Sequence, residues 1–349
     1  MTTYFYILLL PATLSIFFID SKKNSKFILT ILYLIFVVFV GMRHKVGMDW
    51  NNYVLRYMSI AGNTFAESLY AMTEPGYSVL NWLMSQAGYG IYGVNFVCAV
   101  IFMSGLFAYA TKCKNVWTAI AVAMPYLVLV VSMSATRQSA AIGIFFLLLA
   151  FWEETSTVTK SLAIAIASMF HAAAVIMLVF VAYKSNVKNI YKIIMYIAMM
   201  VVAYYVLLLT DRYEYYQSLY IQKNIQSSGA FFHMMLNFVP AFIYILMYNK
   251  FRAIGESDGM TFTIAVSSIL LTPALLISST GADRLSLFLS AIQLKVYSAL
   301  PYIQKKPSGR MLIQLCILIY AFGVMYVWLE YSNSAFAWIP YNTILSRIW

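Results

Sequence analysis

Long apolar runs separated by short polar segments make up most of the 349 residues. The runs approach or exceed the ~20 residues that an α-helix needs to cross a bilayer, and they lack the alternation that marks the strands of a membrane barrel. The pattern therefore predicts an all-α polytopic integral membrane protein with about ten full spans. Their bounds are roughly 4–19, 27–42, 90–111, 115–133, 138–152, 193–210, 231–249, 261–280, 285–303 and 311–329.

A further apolar stretch, roughly residues 161–183, is ambiguous because it has the length of one span. Lysine and arginine near the ends of spans favour the cytoplasmic side. A single crossing would place Lys184, Lys188, Lys192 and every later basic loop outside. A broken, re-entrant helical hairpin that turns near His171 keeps all of them inside, and interrupted backbone is tolerated where protein surrounds it. We favour the hairpin, and a misplaced span elsewhere is the alternative.

The net charge of +11 follows from this topology and does not require nucleic acid as a partner. The predicted inner loops are rich in lysine, whereas the predicted outer side carries mainly arginine, whose planar fork of donors suits phosphate. No stretch resembles a separate soluble domain, so residues 1–349 form one membrane domain. Its two longest outer segments are about 43–89 and 211–230.

Charge is concentrated in "RHKVGMDWNNYVLRY", residues 43–57, which follows an apolar run. Arg43 lies at the outer end of that run. If the segment after it is helical, Asp49, Tyr53 and Arg56 share one face through their i,i+3 and i,i+4 spacing. An interfacial anchor in a solvated loop is the simpler interpretation of the same residues.

Two polar segments, residues 132–140 and 278–286, each place small capping residues and an arginine at the expected start of a helix. The first contains Arg137, and the second contains Asp283 and Arg284. Free backbone N–H groups and the helix dipole would add to the arginine charge and favour an anion. A local ion pair is the alternative for Asp283 and Arg284.

Three further positions carry candidate chemistry. Glu74, in "TEPGY", would lie at a helix start beside the membrane, although capping alone explains such a residue. His171 would be a polar group at membrane depth, which is costly and often functional, but a packing role is common for a lone histidine. Tyr341, in the turn "IPYN", lies near the end of the chain on the outer side.

The motif series Arg43…Val46-Gly47-x-Asp49…Tyr53, Glu74-Pro75-Gly76-Tyr77, Arg137-Gln138, His171-x-Ala173 and Asp283-Arg284 resembles the EpsG-like Wzy polymerases of bacterial O-antigen and exopolysaccharide. The resemblance spans about residues 40–345. One departure is Ala172, where the family pattern has a small polar residue. The resemblance implies a GT-C-like glycosyltransferase architecture in the bacterial inner membrane, with a site that faces the periplasm.

The resemblance also implies the reaction. A glycan on undecaprenyl diphosphate is transferred to the end of another lipid-linked repeat unit, with no cofactor or metal expected. Because no covalent nucleophile stands out in the sequence, direct displacement with inversion is the simplest hypothesis. It implies a chain-length regulator as a protein partner. The residues expected to stabilise the leaving diphosphate are Arg43, Arg137 and Arg284. The candidates for orienting the attacking hydroxyl are Asp49, Glu74 and His171. Further substrate contacts are expected from Tyr53, Arg56, Gln138, Asp283 and Tyr341.

Two other functions are compatible with an arginine-rich outer face. An O-antigen ligase uses the same donor with a lipid A core acceptor. A flippase for the lipid-linked sugar would need polar groups along a path between both faces, whereas the polar residues here concentrate on one face. The chain contains no P-loop, dinucleotide-binding glycine motif, zincin helix or nucleophile elbow.

Overall fold

The computed structural model describes residues 1–19, 25–184, 190, 229–276 and 279–347. Within these ranges the regular elements are helical, and the one β-bridge joins Arg43 to Thr343. The chain is thus an all-helical protein in its described part, as the apolar runs predict. The predicted span 193–210 and nearly all of the outer segment 211–230 lie outside the described residues.

The helices in the first part of the chain are α1 Thr2–Phe17, α2 Lys26–Gly41, α3 Trp50–Ala61, α4 Phe65–Tyr70, α5 Pro75–Gln86, α6 Gly90–Thr111, α7 Val116–Ala123, α8 Ser132–Ser134, α9 Thr136–Ala150, α10 Thr157–Phe170 and α11 Leu178–Lys184. A π-helix, Met124–Val131, joins α7 to α8. The later helices are α12 Ala230–Leu246, α13 Tyr248–Ala253, α14 Gly259–Leu271, α15 Ser279–Ser286, α16 Ala291–Ala299 and α17 Pro307–Tyr331. Short 3₁₀ turns connect several of them.

Among the described residues, four continuous helical segments are long and apolar enough to cross a membrane. They are Gly90–Thr111, Val116–Ser134, Gly259–Leu276 and Pro307–Tyr331. Six further apolar helices have only 10–17 residues. The chain is therefore a membrane-embedded helical protein, but the expectation of about ten full spans overestimated the number of continuous long helices.

Interruptions of the helical backbone explain the difference. The apolar run predicted to span roughly 285–303 is divided into a 3₁₀ turn, the nine-residue α16 and a second 3₁₀ turn that contains Pro301. Proline lacks a backbone N–H and disrupts the regular α-helical pattern. The length of an apolar run indicates how many residues are removed from water, but it does not show where the helix is interrupted.

Polar contacts divide the molecule into two ends, which we call the lysine end and the arginine end. At the lysine end, Lys112 pairs with Glu154 at 3.6 Å, and Glu256 pairs with Lys114 at 3.6 Å and with Lys295 at 2.9 Å. The arginine end is the opposite end of the molecule, where α6 begins at Gly90 and where Arg43 and Arg137 lie. The 22 residues of α6 cover about 33 Å between them.

The closest helix crossing in the core joins α6 to α9 through two glycines. A Cβ atom built on Gly143 would lie 2.5 Å from the Cα of Phe102, and one on Gly105 would overlap the backbone of Gly143. Small residues permit this kind of close backbone approach between membrane helices. The crossing fixes the position of α9, which carries candidate site residues at its other end.

The stretch 161–183 turns back on itself at His171. Helix α10 ends at Phe170, and His171 has an extended backbone with φ −151° and ψ 114°. The ring of Phe180 packs against Phe145 of α9 with 6.2 Å between ring centroids. Phe145 lies eight residues into the helix from Arg137, about 12 Å towards the lysine end. The described residues after His171 therefore return from the arginine end, as a hairpin does.

The C-terminal segment closes over the arginine end. The hydroxyl of Tyr4 donates to the carbonyl of Trp338 at 2.6 Å, and the indole N–H of Trp338 donates to the carbonyl of Leu129 at 2.9 Å. The backbone N–H of Ile344 donates to Met42 at 2.9 Å. This segment thus connects α1 and the end of α2 to the π-helix Met124–Val131.

Substituting Gly143 by alanine is expected to destabilise the protein. The new Cβ would overpack the crossing with Phe102, and overpacking costs ~1–3 kcal/mol. Gly323→Ala is the matched control, because a Cβ at Gly323 meets nothing within 4 Å and alanine favours a helix by ~1 kcal/mol. Thermal unfolding in detergent should show a lower melting temperature for the first variant and an equal or higher one for the control. A Gly143→Ala protein as stable as the wild type would contradict the crossing.

Candidate active site

A buried ion pair lies at the centre of the arginine end. Nη1 of Arg137 lies 2.6 Å from Oε2 of Glu74, with the two side chains 17% and 7% exposed. The hydroxyl of Thr73 donates to the same carboxylate oxygen at 2.9 Å. The guanidinium also lies over the rings of Tyr53 and Tyr77, at 5.9 and 6.0 Å from the ring centroids. The pair unites residues that are 63 positions apart in the chain.

Helix α9 presents Arg137 at its beginning, as the sequence predicts. The backbone leaves the helical region at Ala135, with φ −90° and ψ 59°, and α9 starts at Thr136 without a side-chain cap. The Nε atom of Arg137 is buried and has no hydrogen-bond partner among the described residues. The positive end of the helix dipole and an unsatisfied guanidinium N–H together favour an anion at this position.

Helix α5 brings Glu74 to the site from the opposite side. Pro75 occupies the first turn of α5, where its missing N–H costs nothing, and Glu74 precedes it. A Cβ on Gly76 would lie 2.9 Å from the Cβ of Met169, near the end of α10. The absence of a side chain at Gly76 therefore allows α5 to approach the turn of the hairpin.

His171 lies at that turn and faces the same carboxylate. Its Nδ1 atom is 3.9 Å from Oε1 of Glu74, which is beyond hydrogen-bond distance. Both ring nitrogens are buried without a hydrogen-bond partner among the described residues. The imidazole is thus enclosed next to the Arg137–Glu74 pair, with its hydrogen-bonding capacity unused.

Asp49 and Tyr53 contact the cluster where α8 ends and α9 begins. The hydroxyl of Ser134 lies 3.4 Å from Oδ2 of Asp49, and the backbone N–H of Arg137 donates to the hydroxyl of Tyr53 at 3.5 Å. Burial raises the pKa of Tyr53 above its ordinary value, so the phenol stays neutral. Asp49 is the N-cap residue of α3, and the backbone N–H of Tyr53 donates to its carbonyl at 2.9 Å, which agrees with the predicted i,i+4 spacing of the two residues.

Arg43 is buried at 1% exposure, and protein atoms accept its hydrogen bonds. Nε donates to the carbonyl of Met133 at 3.0 Å, and Nη1 donates to that of Val40 at 2.8 Å. Nη2 donates to Asn95 at 3.2 Å and to Thr136 at 2.8 Å. Burial lowers the pKa of the guanidinium to about 10, which leaves it charged at neutral pH. Binding of diphosphate by Arg43 stays a prediction, and its contacts make it a brace behind the site.

Gln138 connects α9 to the segment that contains Asp283 and Arg284. Its side-chain amide donates to the backbone carbonyl of Arg284 at 2.7 Å. The sequence placed Asp283 and Arg284 in the first turn of a helix, whereas they lie in the second half of α15, Ser279–Ser286. The side chain of Arg284 is exposed.

Two predicted substrate residues lie away from these contacts. The hydroxyl of Tyr341 donates to the carbonyl of Phe39 at 2.7 Å, and its ring stacks on Phe39 at 4.7 Å between centroids. Tyr341 therefore packs the C-terminal segment against α2. Arg56 lies on α3, half-buried, one turn beyond Tyr53.

Sequence reasoning missed two residues at this end of the molecule. Asn95 accepts a hydrogen bond from Arg43 within the membrane helix α6. His233, at the start of α12, lies 3.2 Å from Asp283. A polar residue near the end of an apolar run was the available signal for both, and neither is part of the motif series described above.

A family model described as "EpsG family" matches residues 26–343, nearly the whole chain. The chain belongs to the EpsG family. Membership agrees with the resemblance of the five motifs, and it makes the chain a membrane protein of the glycosyltransferase-like, polysaccharide-polymerase type. No curated protein and no solved structure shows significant similarity to the chain.

The structure predicts different consequences for two arginines of this EpsG-family protein. Arg43→Met would leave the buried carbonyls of Val40 and Met133 without donors, and each unsatisfied group costs ~1–3 kcal/mol. The melting temperature in detergent should fall by about 4 °C or more. Arg284→Met, at an exposed side chain, should leave it unchanged within about 2 °C. Equal melting temperatures for both variants would contradict the bracing role of Arg43.

Proposed function

We propose that this protein polymerises undecaprenyl-diphosphate-linked oligosaccharide repeat units into O-antigen or a related polysaccharide. The observation that carries the proposal is the meeting of Arg137, Glu74 and His171 from α9, α5 and the hairpin turn. Family membership supplies the class of reaction. This convergence supports a site that binds a charged donor and orients the hydroxyl of an acceptor sugar beside it.

The proposed site faces the periplasm. Lysine and arginine accumulate on cytoplasmic ends of membrane helices, and the lysine end carries Lys112, Lys114, Lys160, Lys250 and Arg252. The arginine end is then the outer one. Nucleotide sugars are scarce on that side, so the donor must be activated in advance and carried by a lipid.

In the proposed reaction, Arg137 and Arg284 stabilise the diphosphate that leaves the donor sugar. Negative charge on the phosphate oxygens grows as the glycosidic bond breaks, and preorganised guanidinium groups stabilise such charge most strongly where water is excluded. Arg284 offers an exposed guanidinium, and Arg137 offers its unpartnered Nε atom at the start of α9. Glu74 keeps the buried Arg137 neutralised when no substrate is bound.

The attacking group is a hydroxyl of the acceptor sugar. The side chains proposed to orient the sugars are Asp49, Glu74 and His171, which line the same junction. No covalent nucleophile stands out among the residues around Arg137. Direct displacement at the anomeric carbon is therefore the simplest course of the reaction.

The polymerase activity can be tested with purified protein, lipid-linked repeat unit and a metal chelator, without any nucleotide. We expect a ladder of glycans on a gel. Arg137→Ala should lower the rate at least ~100-fold, the usual effect of removing one such charge-stabilising donor. Arg252→Ala is the matched control, since that arginine is exposed at the opposite end.

A double variant distinguishes loss of catalysis from misfolding in this test. Arg137→Gln combined with Glu74→Gln removes both charges while keeping side chains that can hydrogen bond to each other. It should unfold near the wild-type temperature and still make no ladder. A well-folded wild type that makes no ladder, but transfers the glycan when lipid A core is added, would identify a ligase and overturn the proposal.

The stereochemistry of the product provides a second test. Direct displacement inverts the anomeric carbon, so the new linkage should have the opposite configuration to that of the lipid-linked donor. NMR of the polymer, by the one-bond carbon–proton coupling at each anomeric centre, measures this. Retention of configuration would exclude a single displacement and would require a covalent nucleophile.

A further inference from the structure

His233 and Asp283 form a second ionisable pair, and the reaction as proposed above leaves His233 unused. Nδ1 of His233 lies 3.2 Å from Oδ2 of Asp283, and the side chains are 21% and 16% exposed. The pair joins the first turn of α12 to α15. When a carboxylate accepts a hydrogen bond from Nδ1, the neutral imidazole presents Nε2 as a proton acceptor.

Neighbouring residues hold the imidazole ring of His233 in one orientation. The ring of Tyr126 lies against it at 4.5 Å between centroids, and the Tyr126 hydroxyl approaches Oδ1 of Asp283 at 3.5 Å. A Cβ on Gly229 would lie 2.9 Å from Nε2. Glycine at that position therefore leaves space beside the nitrogen that would accept a proton.

The other histidines and carboxylates of the arginine end are less suited to accept a proton. The ring nitrogens of His171 are enclosed, and Nδ1 of His44 lies 2.5 Å from the hydroxyl of Tyr92. Glu74 already accepts hydrogen bonds from Arg137 and Thr73. The three histidines of the chain are all described, and His233 lies within hydrogen-bond distance of the carboxylate of Asp283.

The pair lies next to the proposed diphosphate site. Asp283 precedes Arg284, whose carbonyl accepts the hydrogen bond from Gln138, and Gln138 follows Arg137. On the other side, Asn237 donates to the carbonyl of Ser286 at 2.7 Å, which holds α12 to α15 one turn beyond the pair. The Arg137 and His233 groups therefore flank the junction between α9 and α15.

We propose that His233 is the general base of the glycosyl transfer and that Asp283 positions it, an inference that rests on the proposed polymerase function. The oxygen of the acceptor hydroxyl forms a bond to the anomeric carbon of the donor. The bond from that carbon to the phosphate oxygen breaks, and its electron pair leaves with undecaprenyl diphosphate. The hydroxyl proton passes to Nε2 of His233 and from there to water. Asp49, Glu74 and His171 then hold the sugars.

The test compares His233→Gln, Asp283→Asn and the control His171→Gln in the polymerisation assay over a range of pH. The wild-type rate should fall on the acid side, where a protonated imidazole accepts no proton. His233→Gln should lower the maximal rate ~10²–10⁴-fold, leave KM for the lipid-linked unit within about twofold, and abolish the acid limb. His171→Gln should keep that limb. The ionisable groups in contact with His233 are Asp283 and Tyr126, with Arg284 adjacent in sequence.

Asp283→Asn separates a positioning role from a purely structural one. The amide preserves size, but its NH₂ group can donate to Nδ1 and so favours the tautomer whose Nε2 carries the proton. The maximal rate should therefore fall at least ~100-fold, with KM within about twofold, while the protein unfolds at the wild-type temperature. If His233→Gln does not fold, this variant decides the assignment, and a wild-type rate would overturn it.

Failure of the base assignment differs from failure of the proposed function. If the wild type makes polymer, and His233→Gln makes it at a similar rate with the wild-type acid limb, His233 is not the base although the polymerase function stands. If the wild type makes no polymer from lipid-linked units, both proposals are overturned together.

Discussion

The arginine end depends on one constraint: a guanidinium group removed from water must have its charge and its donors satisfied by the protein. Arg43 meets it with two backbone carbonyls and two polar side chains, which belong to α2, α6, α8 and α9. For Arg137 the carboxylate of Glu74 balances the charge, while Nε has no partner among the described residues and is left for a ligand. A buried charge that loses its partner costs ~3–5 kcal/mol. The elements that supply these partners are therefore held together at one place.

The site lies where helices are interrupted, next to the Arg137–Glu74 pair. The backbone leaves the helical conformation at Ala135 and at His171, and α5 begins directly after Glu74. Each interruption leaves polar backbone groups that a continuous membrane helix would have satisfied internally. Irregular backbone at such a depth is stable because α3, α5 and the C-terminal segment pack around it. Two of the short apolar helices, α9 and α10, thus have one end at the site.

The two ends of the molecule use charge in different ways. At the lysine end, Lys114 and Lys295 share Glu256, and exposed lysines lie around them. Such residues orient the chain in the membrane, for which any cation is sufficient. At the arginine end, Arg43 is buried among hydrogen-bond acceptors, and Arg137 pairs with Glu74 in a largely buried contact. This second arrangement fits the binding of a charged donor, because a guanidinium held in a fixed geometry loses little entropy when it binds phosphate.

The sequence by itself determined the all-helical membrane architecture, because apolar runs of this length have few alternatives in a bilayer. It also singled out His171, because polar residues at membrane depth are costly, and Arg137 and Glu74, because each is a charge at the start of a helix. Only the tertiary structure decided which of these residues meet. It made Arg43 a brace, moved Asp283 and Arg284 from a helix start into α15, and put Tyr341 into the core packing. It also paired His233 with Asp283, 50 residues away in the chain. Side-chain partners between distant segments are set by helix crossings such as that of Gly105 and Gly143, whose geometry no local pattern contains.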